Sequence, residues 1–83
     1  MAKHIGIVGC SAEGAALCYR TICLEARELM GEHMHPEITM HTYPLADYLP
    51  PIRQDDHKTV AELMLSSARI LAAAGTDFLI CPD

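Results

Sequence analysis

The chain has 83 residues and a mass of 9.1 kDa, and its formal charge is 6 − 11 = −5 with histidines neutral. Hydrophobic residues make up 51% and charged ones 20%, a mixture too apolar for a disordered chain. No basic excess or Lys/Arg stripe exists to neutralise phosphates, which excludes nucleic acid as an expected partner, and no apolar run approaches the roughly 20 residues of a membrane helix.

This length allows one domain at most. The apolar run after Met1-Ala2-Lys3-His4 is short and broken by glycine, unlike the core of a signal peptide. A cytoplasmic location is therefore expected, and cysteine use agrees. Cys10, Cys18, Cys23 and Cys81 are separated by 7, 4 and 57 residues, with no Cys-x-x-Cys pair and no zinc-type spacing. Reduced thiols are the default in that compartment.

Ile5-Gly6-Ile7-Val8, closed by Gly9, is a continuous β-branched run and predicts a strand buried on both faces. Ser11 offers an N-cap oxygen, and Glu13 puts negative charge in the first helical turn. Ala12 to Met30 predicts a helix with Cys18, Ile22, Ala26 and Leu29 on one face, stopped at Gly31. Pro36 blocks further helix. Glu37 to Tyr43 alternates as a second strand, with Ile38, Met40 and Thr42 on one face and Thr39, His41 and Tyr43 on the other. Pro44 to Gln54 holds three prolines and predicts a long surface loop, the favoured place for binding residues. Asp55-Asp56 opens a second helix whose apolar positions are Val60, Leu63, Met64, Ser67, Ile70, Leu71 and Ala74, and Gly75 stops it. Phe78-Leu79-Ile80-Cys81 predicts a third buried strand.

That order is strand, helix, strand, helix, strand, which predicts an α/β fold: a right-handed βαβαβ unit in a three-layer sandwich with a parallel sheet. Such a unit is about half of a doubly wound domain, so further polypeptide or a partner chain is expected to complete it.

In open α/β sheets, ligands collect beyond the carboxyl ends of the strands. Gly9-Cys10-Ser11, Tyr43 with its loop, and Cys81-Pro82-Asp83 converge there. Gly6, Gly9 and Gly14 do not fit the dinucleotide fingerprint, and Ala15-Ala16 stand where a P-loop needs Lys-Ser/Thr. What remains is a turn whose backbone N–H groups open a helix, suited to one small anion such as a carboxylate. Cys10 in that turn reads either as a base or nucleophile favoured by the helix terminus or as a small residue filling a tight turn. Cys18 and Cys23 read as packing, and Cys81 as a buried thiol. Asp83 reads as a general base, a ligand group or a loop acid. His33-x-His35 lacks a third metal donor, so no metal is expected there. His41 divides evenly between a polar core contact and a ligand contact. Arg53 is a plausible carboxylate clamp or an ordinary surface arginine.

Two segments resemble one family. Ile5-Gly6-Ile7-Val8-Gly9-Cys10-Ser11-Ala12-Glu13-Gly14-Ala15-Ala16, with Cys18-Tyr19-Arg20 following, is similar to the opening strand and turn of the aspartate/glutamate racemases, one residue shorter in the turn. Ala73-Ala74-Gly75-Thr76-Asp77-Phe78-Leu79-Ile80-Cys81-Pro82-Asp83 resembles the family's Gly-Ala-Asp-Phe strand leading to Pro-Cys-Asn-Thr. The resemblance spans nearly the whole chain. It implies the first part of a Rossmann-like or flavodoxin-like lobe in a two-lobed, often dimeric isomerase that works without pyridoxal phosphate, metal or other cofactor. It also implies an acidic amino acid as substrate and two-base racemisation at Cα between opposing thiols. Asp83 occupies the position of the first catalytic cysteine, and Arg53 is the nearest counterpart of the clamp arginine. The expected site is thus Asp83 as base, with Gly9, Cys10, Ser11, Tyr43 and Arg53 holding the substrate. A non-catalytic dicarboxylate-binding protein is the alternative. A phosphoacceptor receiver is disfavoured, because Cys10-Ser11 stand where its acidic pair belongs.

Overall fold

The computed structural model describes residues 3–82. Its elements run β1 (Ile5–Gly9), α1 (Ala12–Met30), β2 (Ile38–Thr42), α2 (Leu45–Arg53), α3 (His57–Ala73) and β3 (Phe78–Ile80). The strands form one parallel sheet in the order β2-β1-β3, with Ile7 opposite both Met40 and Ile80. The chain therefore leaves β1 toward one edge and returns to the other, and the order reverses at β1.

Strand β1 is buried along its whole length, as its unbroken apolar run requires. On one face Ile5 and Ile7 pack with Ala15, Cys18 and Ile22 of α1 and with Ile38 and Ile80. The other face belongs to α3, whose buried Ser67 reaches His41. Helices thus cover both faces of the sheet.

Helix α1 keeps its expected ends. The Ser11 hydroxyl accepts the Gly14 N–H at 3.2 Å, and Gly31 at φ 112° donates its N–H to the Arg27 carbonyl. The expected apolar face holds for Cys18 and Ile22 but not for Leu29, which is 89% exposed. Length explains this. Nineteen helical residues span about 28 Å, against about 17 Å for a five-residue strand, so the last turns overrun the sheet.

Two further expectations are corrected. The Pro44–Gln54 segment is not a long loop, because nine of its residues form α2 with Pro50 and Pro51 inside the helix. Burial of Tyr48 and Pro51, one helical turn apart, holds it in place. Strand β3 is not a buried strand. Phe78 and Leu79 are 45% and 41% exposed, and Cys81 lies past its end and is exposed. An edge strand has a neighbour on one side only, and β3 is at the edge.

At the amino end of the sheet His4 ties three segments together. Its N–H donates to Asp77 Oδ2 at 2.7 Å, its Nδ1–H donates to the Gly75 carbonyl at 3.1 Å, and its Nε2 meets Thr39 Oγ1 at 2.7 Å. The ring proton is assigned to Nδ1 because a carbonyl only accepts. No helix among the described residues is long and apolar enough to cross a membrane.

Candidate functional site

At the carboxyl ends of β1 and β2 the chain turns into α1 and α2, and α2 packs against α3. Gly9 sits at this point for want of space. A Cβ there would lie 2.6 Å from Thr42 Cγ2 and 3.0 Å from Ala15 Cβ, so the bare backbone lets α1 start against β2. Cys10 follows, half-buried, and then Ser11, whose carbonyl also accepts the Ala15 N–H at 3.1 Å. The Gly14 N–H of the expected anion cradle is thus already engaged by Ser11 itself.

Tyr43 emerges from β2 toward α3. Its hydroxyl bonds Ser66 Oγ at 2.6 Å, and its ring meets His41 edge-on with centroids 4.8 Å apart. His41 Nδ1 in turn lies 2.7 Å from Ser67 Oγ. Consecutive serines of α3 therefore fix both rings, and His41 resolves as a polar contact between sheet and helix.

Sequence reasoning missed Tyr48. The side chain is 1% exposed, and its hydroxyl, short of a formed hydrogen bond, is a buried polar atom left unsatisfied. Burial first, then Cys10, and after it Cys81 and Tyr43, push the phenol up to about 12. Those neighbours each follow a different strand in the chain, Cys10 after β1, Tyr43 after β2 and Cys81 after β3. The available signal was the pair Tyr48 and Pro51 at helical spacing, hidden by the prolines.

Arg53 lies exposed in the last turn of α2, about 140° around the helix from Tyr48 at roughly 100° per residue. Asp83 lies outside the described residues. A cavity of about 260 Å³ opens at the far end of α1, lined by Cys23, Leu24, Arg27, His33, Met34 and His35. Among the described residues no group of three or more His, Cys, Asp or Glu side chains is placed to hold a metal ion.

The fold and this cluster define a small α/β protein with a three-stranded parallel sheet and polar groups gathered at its carboxyl end. No family model, curated protein or solved structure matches the chain.

Proposed function

We propose that the chain forms the first part of a Rossmann-like or flavodoxin-like lobe of an amino-acid racemase-type isomerase. Its substrate is a small acidic amino acid such as aspartate or glutamate. The observation that carries this reading is the gathering of Cys10, Cys81, Tyr43 and Tyr48 where the strand order reverses, the crevice position at which open α/β sheets hold ligands. The resemblance of the segments ending in Ala16 and Asp83 to racemase motifs supplies the reaction class.

In this reading the Asp83 carboxylate takes the Cα proton, and the pair of electrons left on carbon is held by fixed donors until a proton returns to the opposite face. The Ala12 and Glu13 N–H groups in the first turn of α1, beside the Gly14 N–H that Ser11 takes, and the Arg53 guanidinium hold the substrate carboxylates. A second lobe supplies the opposing acid, and a homodimer is the expected assembly.

Incubation with each acidic amino acid in D₂O tests the proposal. Deuterium should enter at Cα, and Asp83→Asn should abolish the exchange. Absence of exchange with every acidic amino acid overturns proton abstraction, and tight calorimetric binding in that case assigns the site to a dicarboxylate-binding protein.

A further inference from the structure

We propose that His41 accepts the ammonium group of an α-amino-acid ligand through Nε2, with Ser67 as the residue that positions the ring. The identity of the ligand rests on the racemase-type reading, which assigns partners to the substrate carboxylates and leaves the ammonium in need of an acceptor.

A count of protons settles the His41 ring. Ser67 is wholly buried, and its single hydroxyl proton goes to the His41 carbonyl at 3.4 Å. The Ser67 oxygen, 2.7 Å from His41 Nδ1, is therefore the acceptor, and Nδ1 carries the ring proton. In the neutral imidazole Nε2 is then a bare lone pair directed away from Ser67. Two bonds to one buried serine of α3 fix both the tautomer and the orientation. Among the described residues Nε2 forms no hydrogen bond of its own. It is not sealed either, because the buried side-chain polar atom left without a bond is the Tyr48 hydroxyl.

A donor lies beside this acceptor. Tyr43 and Ser66 bring two hydroxyl protons to one bond of 2.6 Å, so whichever group donates, one O–H remains to give. The Tyr43 ring meets His41 edge-on with centroids 4.8 Å apart, and His41, Tyr43 and Ser66 are all half-buried. A bare acceptor next to an unspent donor matches an ammonium and a carboxylate oxygen borne on one carbon. A dicarboxylate without the amine uses the donor alone. The pair therefore selects an amino acid over the corresponding dicarboxylate.

Calorimetry with L-aspartate, D-aspartate and succinate, which is the same skeleton without the amine, tests the proposal. At least one enantiomer should bind about tenfold tighter than succinate, the worth of one charge-assisted hydrogen bond. His41→Phe keeps a flat ring against Tyr43 and should bring aspartate down to the affinity of succinate, with succinate unchanged. Tyr43→Phe should weaken both alike. Nitrogen-15 NMR of the neutral His41 ring should show the proton on Nδ1, and Ser67→Ala should let the two tautomers mix. Equal affinities for aspartate and succinate, absence of binding by all three, a preference that survives His41→Phe, or a proton on Nε2 would overturn it. Should His41→Phe fail to fold, the parent chain's preference and its tautomer decide. Deuterium exchange at Cα without an amine preference sinks the His41 assignment alone. A His41-dependent preference without exchange sinks proton abstraction and leaves this assignment standing.

Discussion

Tyr48 concentrates several physical demands on one side chain. Its ring is among the largest fully buried groups, and its hydroxyl is left without a formed bond. The phenol is held up to about 12, against 10.0 ordinarily. Between those values the unfolded chain has released the proton and the folded chain still holds it, so the unfolded state binds fewer protons and stability falls as pH rises. The contribution is fully present below pH 10 and is lost as pH rises toward 12. Urea titrations from pH 9 to pH 12 should therefore show a loss that Tyr48→Phe removes, about 3 kcal/mol at most. At neutral pH the same variant should be neutral or slightly stabilising, because it deletes an unsatisfied group. Gly9 makes the opposite demand, for space. Gly9→Ala puts a Cβ within 2.6 Å of Thr42 Cγ2 and 3.0 Å of Ala15 Cβ, and should cost about 1–3 kcal/mol by overpacking. Equal urea midpoints for Gly9→Ala and the parent chain would contradict this account.

At the scale of elements, α1 and α2 show where local chemistry suffices and where it does not. Helix α1 is legible because its signals are local: a serine that caps, an acid in the first turn, and a glycine at positive φ to stop it. Ser11→Ala should cost about 1 kcal/mol of stability, measured by the same titration. Helix α2 is illegible for the reverse reason. Two prolines inside it speak against a helix, and burial of Tyr48 and Pro51 overrides them. The candidate site was legible only as the segments that follow the strands, since element order alone sets those. Its central residue was not, because a tertiary contact creates it. Pro50 supplies a test of the override. It is exposed and lies four residues after Ala46, so Pro50→Ala restores an N–H that can bond the Ala46 carbonyl. The helix-interior penalty of about 3 kcal/mol for proline outweighs the unfolded-state entropy of up to about 1 that proline removes. Pro50→Ala should therefore raise stability by about 1–2 kcal/mol, and a fall would mean that α2 owes its position to proline's rigidity.

On the scale of the whole molecule, the surface is larger than the mass requires. A compact chain of 9.1 kDa exposes about 4,900 Å², whereas this one exposes 5675 Å². Its radius of gyration is 14.1 Å, against about 12 Å for a compact domain of this length. Part of the excess lies along β3, where Phe78 and Leu79 remain 45% and 41% exposed. The sheet is thus deep on the β1 side and shallow at the β3 edge. That difference predicts a gradient in local stability. Amides of β1, flanked by strands on both sides and buried throughout, should exchange with solvent only through global unfolding. Those β3 amides that point to the outer edge lack a ladder partner among the described residues and should exchange orders of magnitude faster. Hydrogen exchange read residue by residue separates the two strands. Equal protection along β1 and the outward amides of β3 would mean that another strand, from a second copy or another chain, closes that edge in solution.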